Sequence, residues 1–316
     1  MRILVTGGAG FIGSHLTEAL VAGGHDVRVL DDFSSGKRAN LRAVRGDVEI
    51  VKADCADQRA VRQALKGVEA VYHEAALPSV PRSVKDPMGS HRANATGTLT
   101  LLEEARRAGV RRFVYAGSSS VYGETPGLPK REDMDTVPLS PYGVGKLVGE
   151  HYVRIYHHLH GLETLTLRYF NVFGPRQAAG SPYSGVISLF VTALLQGRKP
   201  LIYGDGGQTR DFTYVENVVD ANVRALTARG LVGQSVNVAT GARITLRKLL
   251  AGVARLTGRK ADARHLAARA GDIRHSVADV AQAEKLLGYR VLVDFDEGLR
   301  RTVEWYRSSR PAAVNH

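Results

Sequence analysis

Apolar positions along the first half of the chain fall into two alternating patterns: short apolar-rich runs, and longer stretches with a period near 3.6. The runs at Arg2 to Thr6, His25 to Leu30, Glu49 to Ala53, Ala70 to His73, Arg112 to Tyr115 and Thr164 to Leu167 predict strands. Between them, Ile12, Leu16, Ala19 and Leu20 share one helical face, and further helices are expected over Gln58 to Leu65, Met88 to Ala108 and Tyr142 to His158. Strand and helix in turn, a βαβ repetition, predict an α/β fold, a doubly wound parallel sheet covered on both faces. After Arg168 the pattern loosens into Gly/Pro-rich loops at Gly174-Pro175, Gly180 to Gly185 and Gly204 to Gly207, with a helix at about Val186 to Gln196. We read a second, smaller α/β lobe there. Gln234 to Val238 is expected to return to the first sheet, which interleaves the lobes: residues 1–170 with about 212–240, and about 171–211 with 241–316.

The first turn carries chemistry. Thr6-Gly7-Gly8-Ala9-Gly10-Phe11-Ile12-Gly13 lies between a strand and a helix, the setting of a Rossmann dinucleotide fingerprint. Gly7 or Gly8 permits the turn, Gly10 lets the backbone approach a pyrophosphate, and Gly13 lets helix pack on strand. The second strand ends at Asp31-Asp32, eighteen positions past Gly13 for Asp31. A carboxylate there suits the ribose hydroxyls of NAD and repels the 2′-phosphate of NADP. Lys37 and Arg38 offer the competing NADP reading, which two acids at the strand end disfavour.

Tyr142 and Lys146 stand four apart in Ser140-Pro141-Tyr142-Gly143-Val144-Gly145-Lys146, so a helix places phenol and ammonium on one face. A phenol of pKa about 10 is a poor base at neutral pH. Lysine and a pyridinium cofactor together are expected to pull it down.

Composition narrows the partners. The net charge of +12 in 316 residues is spread along the chain, which favours anionic small ligands over nucleic acid. No apolar run approaches a membrane span and no signal segment precedes the first strand, so a cytoplasmic enzyme is expected. The single Cys55 excludes an internal disulfide and a multi-cysteine zinc site. His157, His158 and His160 read as a polar helix end, and no metal is expected.

Further motifs accompany these: Ser118-Ser119-Ser120-Val121-Tyr122-Gly123, Leu167 to Pro175, Gly204-Asp205-Gly206, Arg210-Asp211-Phe212 and Arg269-Ala270-Gly271-Asp272. In this order they are similar to those of extended short-chain dehydrogenase/reductases. From Arg2 to about Trp305 the chain resembles the UDP-hexose 4-epimerases, and most of all the UDP-N-acetylglucosamine 4-epimerases.

The resemblance implies a retained NAD in the first lobe and a UDP-sugar held by the second. It makes Tyr142 the catalytic base, Lys146 the group holding the nicotinamide ribose, and Ser118 the partner of the sugar's 4-hydroxyl. The implied cofactor set is Gly7, Gly10, Phe11, Ile12, Gly13, Asp31, Asp54 and Lys146. The implied substrate set adds Ser79, Arg82, Asn94, Ser119, Asn171, Arg210, Arg269, Asp272 and Ser276. Arginines there suit a diphosphate. A homodimer formed through paired helices is also implied.

A sugar 4,6-dehydratase begins with the same oxidation but then needs carboxyl groups, which that family carries where this chain has Ser119-Ser120. A decarboxylase is disfavoured likewise, and a silent NAD-binding regulator by the intact Ser118, Tyr142 and Lys146. Ser79 to Ser83 resembles a loop of epimerases that favour N-acetylated hexosamines, and Ser276 falls where a small side chain admits an acetamido group. UDP-GlcNAc/UDP-GalNAc interconversion is therefore expected, with UDP-Glc/UDP-Gal as a second activity. One departure is His73-Glu74-Ala75-Ala76, where the family often carries Leu or Gln in place of Glu74. The sequence leaves open whether Glu74 lies near the nicotinamide ribose or pyrophosphate and alters affinity for the reduced form.

Overall fold

A computed structural model describes residues 1–178, 185–267 and 273–309. Six strands follow the expected runs: β1 (Arg2–Thr6), β2 (Asp26–Asp31), β3 (Val48–Lys52), β4 (Ala70–His73), β5 (Arg112–Ser118) and β6 (Glu163–Tyr169). With the strand Val232–Val238 they form one parallel seven-stranded sheet, ordered Val232–Val238, β6, β5, β4, β1, β2, β3. Strand order reverses between β1 and β4, which opens a crevice at their carboxyl ends.

Each face is closed by helices whose apolar stripes the sequence carries. On one side Leu16 and Leu20 of α1 (Phe11–Ala22) pack with Val218, Ala221 and Ala225 of the helix Val215–Thr227. On the other, Val61 of α2 (Gln58–Ala64) joins Leu101, Leu102 and Ala105 of the helix Gly97–Arg107 and Val153 of the helix Pro141–His160. A third cluster gathers Phe173, Phe190, Phe212, Tyr214, Leu249, Phe295 and Leu299. Its rings meet at 5.6 Å for Phe173–Tyr214 and 5.8 Å for Phe212–Phe295. Phe11 and Ile12 of α1 pack against this cluster from below, so the glycine turn sits at the junction of the two cores.

The expected uniform helix Met88 to Ala108 is instead interrupted. A π turn over Arg92–Thr96 separates the helices Pro87–His91 and Gly97–Arg107. Within it, Asn94 Oδ1 accepts from Leu77 N at 3.0 Å, tying the turn to the loop after β4. A π turn absorbs one extra residue without breaking the helix, so apolar periodicity alone does not reveal it.

Behind the β5 loop, Arg168 of β6 pairs with Glu150 of the helix Pro141–His160, with Nη2–Oε1 at 2.5 Å and Nε–Oε2 at 3.0 Å. The guanidinium also donates to Tyr122 Oη at 2.8 Å and lies 4.8 Å from that ring's centre. Tyr122 Oη donates to Asn237 Oδ1 at 2.7 Å. Removing either member of the buried ion pair would leave a charge without its partner. The network fixes the segment that carries Ser118. No helix among the described residues is long and apolar enough to cross a membrane.

Candidate active site

The glycine turn is shaped for close backbone approach. Gly7 adopts φ +66°, a left-handed conformation that side chains disfavour. A Cβ added to Gly13 would lie 2.2 Å from the Gly7 carbonyl oxygen. Gly10 caps α1 with no side-chain bond, and the first turn holds no acid, so the leading N–H groups of α1 remain available to an anion.

Asp31 is held from both sides: Oδ2 accepts from Ala9 N at 2.9 Å and Oδ1 from Phe33 N at 2.8 Å. Burial raises its pKa while these bonds pull it back. Asn40 Nδ2 donates to Ala9 O at 2.9 Å and braces the same turn. Arg38 places its guanidinium 4.8 Å from the centre of the Phe33 ring.

One cavity of about 850 Å³ runs from this turn across the sheet end to Ser118, Tyr142 and Lys146. That is the size of a site for an extended organic ligand. With the uncapped helix end, the glycine cradle and the held carboxylate, it fits a dinucleotide. Gly7, Gly10, Phe11, Ile12, Gly13, Asp31, Asp54 and Lys146 all line it, as do Ser79, Arg82, Ser118, Ser119, Tyr142 and Asn171. Asp54 is oriented by Ala56 N at 2.8 Å and paired with Arg92 at 3.1 Å.

The other expected substrate residues are placed differently. Asn94 does not line the cavity: it is buried, and its Nδ2 donates to Ser90 Oγ at 3.2 Å. Arg210 and Ser276 lie beside one another, outside the cavity lining, because Thr209 bridges to His275 and Ser276 N donates to Thr209 O at 3.1 Å. Arg269 and Asp272 lie outside the described residues.

Ser140 caps the helix that carries Tyr142 and Lys146, accepting from Gly143 N at 3.1 Å, with Pro141 in the first turn. Lys146 is buried; its Nζ donates to Ala116 O at 2.8 Å and lies 4.9 Å from the centre of the Tyr115 ring. Burial pushes this ammonium down to about 8, with the Glu74 charge opposing. Burial also raises the Tyr142 phenol, while hydrogen bonding with Ser118 lowers it. The expected depression of the phenol is therefore not supplied by the chain alone. Lys146 directs its charge at a carbonyl and a ring.

Ser118 Oγ accepts from Ser120 N at 3.2 Å and from Ser120 Oγ at 2.8 Å. With its lone pairs so engaged, its own hydrogen is left for an acceptor in the cavity. Sequence reasoning passed over Ser120 as a contributor, having treated it only as a missing carboxylate.

Two further lining residues were missed. Arg176 takes φ +68° and donates to Ser14 Oγ at 3.2 Å and to Glu18 at 2.7 Å, joining α1 to the loop after β6. Gln177 follows it, its Nε2 donating to Val172 O at 3.0 Å. Both lie in a Gly/Pro-rich loop, where no periodicity marks a contact. Glu74 lines the cavity beside Lys146, and its Oε1 accepts from Tyr169 Oη at 2.7 Å.

A profile of the NAD dependent epimerase/dehydratase family matches residues 3–239. The chain is 43% identical over 313 residues to the UDP-glucose 4-epimerase of Mycolicibacterium smegmatis, covering 98% of this chain and 99% of that one. Among solved structures, it is 38% identical, with TM-score 0.93, to the UDP-N-acetylglucosamine 4-epimerase from Methanobrevibacter ruminantium in complex with UDP-N-acetylmuramic acid, over 98% of this chain and 99% of that one. The Thermus thermophilus UDP-glucose 4-epimerase complex with NAD is 38% identical, with TM-score 0.90, over 98% of this chain and 100% of that one.

Proposed function

The chain belongs to the NAD dependent epimerase/dehydratase family, and on that premise we propose that it inverts the 4-hydroxyl carbon of UDP-N-acetylglucosamine and UDP-N-acetylgalactosamine, with UDP-glucose and UDP-galactose as a second pair. It is an NAD-dependent UDP-sugar 4-epimerase. The observation that carries the assignment is the placement of Ser118, Tyr142 and Lys146 in one cavity with the glycine turn, and with serines where elimination would need carboxyls.

Bound NAD supplies a place for the hydrogen at carbon four, with its electron pair, to be set down and recovered. Tyr142 takes the hydroxyl proton. Ser118, with two donors already on its oxygen, gives its hydrogen toward the phenolate or the sugar oxygen. Lys146, held by Ala116 O beside the Tyr115 ring, is placed to hold the nicotinamide ribose. The turn from Gly7 to Gly13 holds the pyrophosphate, and Asp31 takes ribose hydroxyls. We assign the sugar nucleotide to the lobe formed by about 171–211 and 241–316, with Asn171, Arg210, Arg269 and Asp272 gripping diphosphate and uridine ribose.

The acetamido preference is supported by Ser79 and Arg82 at the cavity wall, and Ser276, which lies beside Arg210 outside that lining, is assigned to the gate by the resemblance. A sugar-nucleotide panel scored by epimer ratio tests it: UDP-GlcNAc should convert faster than UDP-Glc. Ser276→Tyr should then cut activity on the acetamido sugars by at least about tenfold more than on UDP-Glc. Equal losses would sink the gate. A UDP-glucose 4-epimerase without acetamido preference is the second reading, favoured by the name of the 43%-identical relative.

We propose a homodimer as well. Val144, Ile155 and Leu159 are exposed along the helix Pro141–His160, with Val84 and Met88 exposed on the helices packed beside it. Sedimentation should give twice 34.2 kDa, and Ile155→Asp with Leu159→Asp should give the single chain. An unchanged mass in that variant would move the interface elsewhere.

A further inference from the structure

Glu74 follows β4 directly and lines the cavity, and the reaction as described so far does not use it. Its Oε1 accepts from Tyr169 Oη at 2.7 Å, and Tyr169 Oη in turn accepts from Asn222 Nδ2 at 2.8 Å. The carboxyl group is thus anchored through Tyr169 to the helix Val215–Thr227, which Tyr72 also grips, donating to Asn222 O at 2.9 Å. The anchored side chain lines the same cavity as Ser118, Tyr142 and Lys146.

The titratable groups that face Glu74 are Tyr169 from β6, Tyr72 from its own strand and Lys146 from the helix Pro141–His160. Lys146 is the cation among them. Its ammonium is already committed to Ala116 O and the Tyr115 ring, and no ion pair joins it to Glu74. A carboxylate held here is therefore not a member of a closed salt bridge. It faces the space in which the base, the lysine and the hydride-accepting end of the cofactor must meet.

We propose that Glu74 is the counter-charge of the nicotinamide ring: as a carboxylate it favours the oxidised, positively charged ring, and it takes up a proton when the ring is reduced and becomes neutral. This rests on the reading of the Tyr142 end of the cavity as the hydride site. Reduction of the ring consumes two electrons and one proton. Uptake at Glu74 adds one further proton from solvent and leaves a neutral carboxylic acid still bonded to Tyr169. The consequence for turnover is that the resting enzyme keeps its cofactor oxidised and resists stalling in the reduced form.

The sign can be followed through pH. Burial raises the Glu74 carboxyl to about 7 in the chain without cofactor, with the Tyr169 bond and Lys146 opposing. The pyridinium charge lowers it in the oxidised holoenzyme, and the neutral reduced ring leaves it near its value in the cofactor-free chain. Between those two values reduction carries the extra proton. Below them Glu74 is neutral in both states, and above them it is charged in both.

Redox titration of the purified holoenzyme, followed by the absorbance of the reduced cofactor, tests this as a function of pH. The wild-type midpoint should fall by about 30 mV per pH unit outside the window and by about twice that inside it, as one and two protons per two electrons require. Glu74→Gln preserves an acceptor for Tyr169 and removes the charge. Its midpoint should meet the wild type at low pH and lie above it at pH values above the window by about tenfold in the oxidised-to-reduced ratio, about 30 mV for two electrons. Tyr169→Phe keeps the carboxylate but removes the donor that favours its charged form, so the steep segment should persist and move to higher pH. Superimposable wild-type and Glu74→Gln curves, with the same slopes, would overturn the proposal. Protein that carries no reducible cofactor would instead overturn the NAD site itself.

Discussion

Tyr142→Phe is expected to lose turnover by roughly 10²–10⁴-fold, the usual contribution of a positioned acid-base group. It should keep its fold and its bound NAD. The substitution removes one oxygen and leaves the ring, and the helix start around it is set by the Ser140 cap and Pro141, which do not involve the phenol. What is lost is the proton acceptor beside Ser118. Burial holds the phenol above its ordinary pKa, and the Ser118 hydrogen bond works against that rise. The check is single-turnover appearance of the reduced cofactor when substrate is mixed with the purified variant. A variant that reduces its cofactor at the wild-type rate would remove Tyr142 from the chemistry.

The second large effect is expected at Gly13. In Gly13→Ala the new Cβ would lie 2.2 Å from the Gly7 carbonyl oxygen and 2.9 Å from its carbonyl carbon. Both opposing atoms are backbone, so relief requires moving α1 away from the turn that carries the pyrophosphate site. Overpacking of this kind costs roughly 1–3 kcal/mol, and the displaced N–H groups no longer converge on a phosphate. The purified variant should carry little or no NAD and melt several degrees lower. Gly46→Ala is the matched control: no atom lies within 4 Å of its added Cβ and its φ is not positive, so it should retain both cofactor and stability. Full cofactor occupancy in Gly13→Ala would contradict the cradle.

The sheet was legible because short apolar-rich runs alternate with helical stretches along the first half of the chain. β1 to β6 fall within a few residues of where the runs predict. The glycine turn and Asp31 were legible for a related reason, since a phosphate cradle and a ribose acceptor demand residue types at fixed chain distance. The helix Val80–Lys85 was not read as a helix. It is six residues long and is started by Ser79 and Pro81 with little amphipathic pattern, so its caps alone mark it.

Local order along the chain therefore determined, by itself, which residues became strands, where the dinucleotide turn lies, and that Tyr142 and Lys146 share one helix face. Those relations span a few residues, where backbone geometry alone sets the distance. Tertiary packing alone decided the rest. It drew Tyr169 to Glu74 across 95 positions and Asn222 to Tyr169 across 53. It also set Lys146 against Ala116 O rather than against the phenol. Charge state and partner choice depend on what surrounds a group in three dimensions. Burial and hydrogen bonds from distant strands set both, and no spacing along the chain encodes them.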